Sequence, residues 1–299
     1  VSARRWPCIS STRRRKRTTT RSAAAGGAVA RLPARRRPPT RRKAMATTNQ
    51  LAICLRRRDH GEHDLLLWLL TPELGKITAI ARGARRPRAA LIAACQPGTI
   101  SRCQLATRAG SSSALPVLTQ AEIVWSYPAA EADFRPAAAR AYLLELVDLA
   151  LPDPEPQEAL YAALAGSLEA VGSAADPAAV VHGFELALLR ELGFELSLHG
   201  CLACDEALAE GPAVFDPAAG GLLHASHEAS DLALPVSPDA VRALRRLAQP
   251  AAYEVDLSAI RLPPEIGPVI RDVLRAAIAY HLDLQPRSAT LLDEALAGE

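Results

Sequence analysis

The sequence predicts a multidomain α+β protein, in which a small β-barrel is followed by a mostly α-helical domain. Three observations carry this prediction. Short apolar stretches separated by turn residues fill positions 47–127, a pattern typical of a barrel or a sandwich. From position 128 to 299 the spacing of Leu, Ala and Glu becomes helical, as expected for helices that bury one face. Two pairs of metal-ligand residues lie between positions 199 and 229, so we expect a small metal module inside the helical domain.

The first 46 residues differ in composition from the rest of the chain. Residues 1–44 contain 15 of the 35 Lys and Arg residues and no Asp or Glu, so we expect residues 1–46 to form a disordered basic extension. Three interpretations stay open: a translation start placed upstream of the true one at Met45, a basic arm that binds nucleic acid, or an organellar transit peptide. The remaining residues hold 20 basic and 32 acidic groups, a net charge of −12. Nucleic-acid binding by this acidic part would require its basic groups to be clustered.

Five strand patterns predict the barrel, and two of them form a hairpin. Asp64 to Leu70 is an apolar run, Thr71 to Gly75 supplies turn residues, and Lys76 to Arg82 alternates with period two. The other predicted elements are strands at 51–55, 98–105 and 115–125, and an Ala-rich helical piece at 88–95. Five strands with a helix before the fourth indicate a closed barrel of the oligonucleotide-binding (OB) kind.

Basic residues cluster on this predicted barrel at the end of the first strand and after the hairpin. Guanidinium groups at such local density attract a phosphate backbone. We therefore expect DNA contacts from Arg56, Arg57, Arg58, Lys76, Arg82, Arg85, Arg86 and Arg88. For Arg56 to Arg58 the alternative is a solvated strand edge that resists strand pairing.

Aromatic residues, which would stack on bases, make up only 4% of the chain. Within the barrel the candidates are Trp68, Trp125 and Tyr127. We expect Trp68 in the core, because it lies within an apolar strand. DNA binding should therefore be mainly electrostatic and tolerant of sequence.

Five helices are predicted in the second domain, at 137–151, 156–171, 177–192, 237–247 and 266–282. Asp176 and Ser237 each precede a proline and an apolar periodic stretch. Such residues cap the first turn of a helix, because their side-chain oxygens accept hydrogen bonds from free backbone N–H groups.

Two ligand pairs predict a zinc-ribbon-like module at 199–229. Cys201 and Cys204 form a Cys-x-x-Cys pair, and after nineteen further residues His224 and His227 form a His-x-x-His pair. Two such pairs can fold around a tetrahedral zinc ion, and four protein ligands leave no open position, so the site would be structural. The alternative is two core cysteines and two surface histidines.

Several functional classes are disfavoured by what the sequence lacks. No apolar run approaches the roughly 18 residues of a membrane span. Six cysteines, mostly scattered singly, do not resemble a disulfide framework, so we expect a reducing cytoplasm. We find no nucleophile constellation, phosphate loop or dinucleotide fingerprint, and no His-x-Glu beside the cysteine pair, which a zinc deaminase would require. We therefore expect no catalytic residues and no enzyme.

From about Leu51 to its C-terminus the chain resembles the family of the bacterial DNA repair protein RecO. In the barrel the resemblance is carried by Gly61-Glu62 with Asp64, Leu69 to Thr71, Gly75-Lys76, Ala81 to Arg85, Gln96 to Gly98, and Ala121-Glu122. In the second half it is carried by Leu188 to Gly193, Cys201-x-x-Cys204, Gly220-Gly221 and Arg287-Ser288. The chain departs from the family where His224 and His227 stand in place of the common cysteines, although imidazole is a competent zinc ligand.

The resemblance implies an OB domain, a helical domain with a structural zinc module, and a recombination mediator. Such a protein would bind single-stranded and double-stranded DNA, anneal complementary strands, and help RecA replace single-strand-binding protein. The implied partners are RecR, the acidic C-terminal tail of single-strand-binding protein and, indirectly, RecA, in a nucleoid-associated place in the bacterial cytoplasm. Candidates for contact with the acidic tail are Arg242, Arg245, Arg246, Arg271 and Arg275. The alternative is a protein-binding adaptor of a repair complex with only weak DNA contact.

Overall fold

The computed structural model describes residues 45–108, 115–127, 133–152, 154–208, 211–249 and 259–297. Of the predicted basic extension, residues 1–44 lie outside these ranges. Residues 43–299 form one compact unit. Among the described residues, no helix combines the length and the apolar character needed to cross a membrane.

Five strands at the start of the described chain pair into a closed barrel in the order β1-β2-β3-β5-β4. They are β1 (Met45–His60), β2 (Asp64–Thr71), β3 (Gly75–Ala81), β4 (Ile100–Arg108) and β5 (Val117–Trp125). The first strand is 16 residues long, far longer than predicted. Its residues 45–53 pair with β4 and its residues 53–60 pair with β2, and the pairing with β2 has an irregularity between Cys54 and Arg56. A bulge of this kind bends a strand enough for it to serve two neighbours.

The prediction of a short helix at 88–95 is wrong. This segment forms consecutive turns, in which Ala89 N donates to Arg86 O at 3.1 Å and Ile92 N donates to Ala89 O at 3.4 Å. Its apolar side chains contribute to the barrel interior: Cys95 is fully buried there, and Leu91 packs against the same core.

Six helices are found in the described ranges after the barrel: α1 (Phe134–Ala150), α2 (Glu158–Val171), α3 (Pro177–Glu191), α4 (Pro238–Ala248), α5 (Gly267–Leu282) and α6 (Ser288–Ala297). The α+β prediction is therefore confirmed. Both predicted caps are confirmed as well, since the Asp176 carboxylate accepts from Ala178 N and the Ser237 hydroxyl accepts from Ala240 N. Helix α6 is not among the predicted helices.

A three-stranded sheet lies between α3 and α4 in the sequence. Its strands are β6 (Ala213–Asp216), β7 (Gly221–His224) and β8 (Leu234–Val236), in the order β7-β6-β8. The inner side chains of this sheet, Phe215, Leu222 and Val236, are buried in the main core with the helices.

Two apolar cores result from this arrangement. One fills the barrel interior with residues such as Leu65 and Leu67. The other is the main core, and it includes Ile53 and Leu70 of the barrel wall together with Tyr142 of α1. Because these barrel residues are buried against the helices, burial of apolar area at this junction stabilises both parts together.

Candidate nucleic-acid interface and metal centre

The end of the barrel that carries the β1–β2 turn also holds the loop that follows β3. Leu65 at the start of β2 pairs with Ala81 at the end of β3, so the chain leaves β3 beside this turn. We call residues 82–88 the arginine loop. Two hydrogen bonds join it to the neighbouring segment: Gly83 N donates to the Asp64 carboxylate at 2.7 Å, and Arg85 N donates to His63 O at 2.9 Å.

Four of the predicted DNA contacts gather at this end of the barrel. They are exposed and, within the described ranges, make neither an ion pair nor a side-chain hydrogen bond. We call these four residues the arginine rim: Arg58, Arg82, Arg86 and Arg88. Arg58 belongs to it because it is aligned with Leu66 and Ile80 across the sheet, close to the turn. Side chains alternate along a strand, so Arg57, also exposed, points to the other face.

Arg85 has a different environment from the arginine rim. Its guanidinium group lies 3.0 Å from the Asp59 carboxylate and 3.4 Å from each of the carbonyl oxygens of Gly61 and Glu62. These contacts tie Arg85 to the β1–β2 turn, so part of its hydrogen-bonding capacity is used within the fold.

Arg56 and Lys76 lie where the barrel meets helix α1. Arg56 Nε is 2.8 Å from the Asp148 carboxylate, and its guanidinium group stacks 3.7 Å from the centre of the Trp68 ring. Lys76 Nζ donates to the Asp148 carbonyl oxygen and lies 3.4 Å from its carboxylate, with only 14% of its side chain exposed. The same carboxylate therefore balances both cations.

The aromatic residues of the barrel are used at the same junction. Trp68 and Trp125 are partly buried and pack against the main core. The centre of the Tyr127 ring lies 5.0 Å from the guanidinium carbon of Arg140. Placement of Trp68 against a core thus agrees with the sequence, although the core is the one shared with the helices. Trp68 lies two residues along β2 from Leu66, the partner of Arg58, but its ring is partly buried and stacked with Arg56, which gives no support to base stacking there.

The predicted metal ligands come together from two separate segments. Cys201 and Cys204 lie in a loop after α3, where Cys201 N donates to Glu206 O at 2.9 Å and a bridge pairs Gly200 with Ala207. His224 ends strand β7, and His227 N closes a turn onto His224 O at 3.0 Å. All four ligand atoms lie within 4.8 Å of one another.

This donor set fits a tetrahedral zinc ion. Zn–S and Zn–N bonds of about 2.3 and 2.0 Å place neighbouring ligand atoms roughly 3.3–3.8 Å apart. Cys204 Sγ is 3.5 Å from His224 Nδ1, within that range. Desolvation raises the pKa of Cys201, but hydrogen bonds from the backbone N–H groups of His224, Ala203 and Cys204 outweigh it and lower that pKa to about 6. The thiolate, which is the form that binds metal, is thereby favoured.

A groove of about 680 Å³ opens between the N-terminal ends of α3 and α5, the segment 261–264 and helix α6. Its walls combine apolar residues with three cations and two carboxylates. The apolar residues include Pro177, Leu262, Pro263, Pro268 and Leu296, and the charged ones are Arg135, Arg261, Arg271, Asp176 and Asp293. Of these three cations, only Arg271 is among the candidates predicted from the sequence, and it pairs with Asp272 at 2.8 Å, as Arg135 does with Asp133 at 2.7 Å. Of the other predicted candidates, Arg246 is exposed, whereas the remaining three have partners: Arg242 with Asp239, Arg245 with Leu198 O, and Arg275 with Asp293.

Comparison with known proteins covers both parts of the chain. The family model described as Recombination protein O N terminal matches residues 45–127, and the one described as Recombination protein O C terminal matches residues 131–290. The chain belongs to the RecO family. The DNA repair protein RecO of Symbiobacterium thermophilum is 36% identical over 253 residues, which are 83% of this chain and 98% of that protein. The RecO of Exiguobacterium sibiricum is 32% identical over 246 residues, 82% of this chain and 95% of that protein.

RecO membership assigns this chain to DNA repair and recombination. The resemblance found in the sequence is therefore confirmed. The sequence did not identify Asp148 as the partner of Arg56 and Lys76, because an isolated acid far along the chain gives no signal. The sequence marks Asp64 only as part of the family pattern, and the structure adds its hydrogen bond to Gly83 of the arginine loop.

Proposed function

We propose that this RecO chain binds single-stranded and double-stranded DNA, anneals complementary strands, and assists RecA loading on DNA coated by single-strand-binding protein. The observation that carries the proposal is the arginine rim at one end of the barrel, four exposed arginines that make no ion pair with any residue the structure describes. The rest of the chain is acidic, with 20 basic and 32 acidic residues after position 44. The rim is therefore a local cluster of positive charge in an acidic part of the chain, and such a cluster can neutralise phosphates and release their counterions.

Binding of this kind is independent of base sequence. The rim neutralises the charge of two strands, and base pairing between the strands selects the partner. Arg57 is a further candidate contact. The proposal does not rest on Arg56 or Lys76, whose charges are balanced by Asp148. No catalytic residue is required for annealing, so we propose a protein that is not an enzyme.

We further propose an OB-fold DNA-binding domain at 47–127 and a helical domain at 128–299 with a zinc-ribbon-like module at about 199–229. Zinc held by Cys201, Cys204, His224 and His227 would be structural, because four protein ligands leave no open position. The ion supplies a cross-link between the loop after α3 and the hairpin of β6 and β7.

The groove in the helical part suits an acidic peptide with apolar side chains. Arg261 is exposed beside apolar residues and, within the described ranges, makes no ion pair, so it supplies the positive charge that favours an acidic partner. Arg135 and Arg271 are already paired with Asp133 and Asp272 and would have to exchange these partners for the peptide. We propose that the groove takes the acidic C-terminal tail of single-strand-binding protein. RecR as a direct partner, RecA as an indirect one, and a nucleoid-associated location in the bacterial cytoplasm complete the proposal.

The proposal is tested with a protein that begins at Met45, by DNA binding and by annealing of complementary oligonucleotides over a salt series. The variant Arg82→Glu/Arg86→Glu/Arg88→Glu reverses three rim charges and should weaken DNA binding about 100-fold or more at low salt. The matched control is Arg246→Glu, which reverses an exposed arginine on α4 and should leave DNA binding unchanged.

The two functional classes give different results in this experiment. A protein-binding adaptor with weak DNA contact would bind DNA equally poorly before and after the charge reversals and would retain its partner binding. If the folded protein fails to accelerate annealing at low salt, the mediator function is refuted for residues 45–299. Rescue of annealing by the full chain would then assign it to the basic extension.

A further inference from the structure

We propose that Asp64 is a positioning residue for the DNA-binding surface, and that it acts by fixing the arginine loop as a hydrogen-bond acceptor. This proposal rests on the proposed function. The Asp64 carboxylate accepts the Gly83 N–H at 2.7 Å. Asp64 begins β2 and is paired with His60 of β1, so it stands on a strand that is fixed on both sides. Gly83 is the second residue after β3.

The arginine loop needs such an anchor because of its backbone path. Gly83 has φ +68°, a left-handed conformation that turns the chain sharply and that glycine adopts without strain. Arg86 N then donates to Gly83 O at 3.0 Å, and Arg85 N to His63 O at 2.9 Å. A carboxylate that accepts a backbone N–H makes a short, charge-assisted bond. Asp64 therefore holds the turn from which Arg82 and Arg86 project.

The ion pair between Arg85 and Asp59 also links the arginine loop to the β1–β2 turn, but it is a weaker restraint. The Arg85–Asp59 pair is 3.0 Å long, but 36% of the Arg85 side chain and 66% of the Asp59 side chain are exposed, and exposed pairs contribute little. Asp64 is half-buried, so its bond to Gly83 is the stronger restraint on the loop.

The charge and the hydrogen bond of Asp64 have opposite effects on DNA binding. As a negative charge beside the arginine rim, Asp64 repels phosphates, and its neutralisation alone would strengthen binding. As an acceptor, it orders the loop, and its loss weakens binding. Asp64→Asn removes the charge and keeps an oxygen acceptor, whereas Asp64→Ala removes both.

The test measures the affinity of these variants for a single-stranded oligonucleotide by fluorescence anisotropy across a salt series. We expect Asp64→Asn to bind at least as tightly as the wild type. Asp64→Ala should bind about threefold to tenfold more weakly, although it has lost a negative charge. The matched control is Glu62→Ala, since the exposed Glu62 side chain makes neither a hydrogen bond nor an ion pair within the described ranges. This variant should bind as tightly as the wild type or more tightly.

Two further measurements keep the proposal refutable. Trypsin should cleave the arginine loop faster in Asp64→Ala than in Asp64→Asn. In the wild type, hydrogen exchange of the Gly83 amide should be slow, and fast exchange there would overturn the proposal even if Asp64→Ala did not fold. Asp64→Ala binding as tightly as Glu62→Ala would also overturn it. Failure of the proposed function would look different, because the wild type itself would then show no salt-dependent DNA binding.

Discussion

Replacement of Asp148 by Ala should destabilise the fold by about 2–3 kcal/mol. The Asp148 side chain is only 12% exposed and contacts Arg56 Nε at 2.8 Å and Lys76 Nζ at 3.4 Å. Half of the Arg56 side chain is exposed, so that contact contributes roughly 0.5–1 kcal/mol. Lys76 is 14% exposed and would retain only the Asp148 carbonyl oxygen, and this loss accounts for the remainder of the cost.

The measurement is equilibrium urea denaturation of a protein that begins at Met45, followed by tryptophan fluorescence. Trp68 and Trp125 both pack at the junction, so their signal reports directly on it. A double-mutant cycle with Lys76→Met separates the pair from other effects. We expect Asp148→Ala to cost less in the Lys76→Met background by about 1–2 kcal/mol, the share assigned to Lys76. A cost below about 0.5 kcal/mol for Asp148→Ala, or strict additivity, would refute the assignment of Asp148 as the junction counter-ion.

Two further predictions concern the helical part. Desolvation raises the pKa of Glu145, but hydrogen bonds from Ser288 and from the backbone of Arg287 outweigh it and hold that pKa below its ordinary value. The stability that results is fully present above the unfolded pKa of about 4.3 and is lost as the pH falls through the folded pKa. Urea denaturation between pH 7 and 3 should therefore show a smaller decrease in the free energy of unfolding for Glu145→Gln than for the wild type. Purified protein should contain about one zinc per chain. Cys201→Ser should lower the zinc content and the melting temperature, whereas the far-ultraviolet circular dichroism should stay helical, because Phe215 remains in the main core. If Cys201→Ser bound as much zinc as the wild type, this metal site would be contradicted.

Features that depend on neighbouring residues in the chain were predictable from the sequence. The hairpin of β2 and β3 follows from an apolar run, a turn and an alternating run, and the structure pairs Thr71 with Gly75 as this order requires. The caps at Asp176 and Ser237 are equally local, because a side chain bonds to a backbone N–H two or three residues ahead. The four candidate metal ligands were recognisable from spacing within two short pairs.

Features that depend on distant contacts were not predictable in the same way. Helix α6 begins where Glu145 of α1 accepts from Ser288 N at 2.8 Å, so its N-terminal donors are satisfied from another helix and no local cap signals its start. The length of β1 depends on two different partner strands. The charge of Lys76 is neutralised by Asp148, 72 residues away in the sequence, and a basic residue on an alternating strand gives no sign of that partner.

Whether a basic residue is already ion-paired within the fold determines how strongly salt should affect its contribution to DNA binding. A cation already paired within the fold gains little on contact with a phosphate, so it releases few additional counterions. If all eight predicted basic residues contacted duplex DNA, the slope of log affinity against log salt would be about −7, whereas the four arginines of the rim alone would give about −3.6. Arg56, Lys76 and Arg85 have partners in the fold, and with Arg57 as a fifth contact the slope would be about −4.5. A measured slope near −4 would therefore assign binding to the end of the barrel that carries the β1–β2 turn and the arginine loop. A slope near −7 would require DNA to displace Asp148 from the barrel junction.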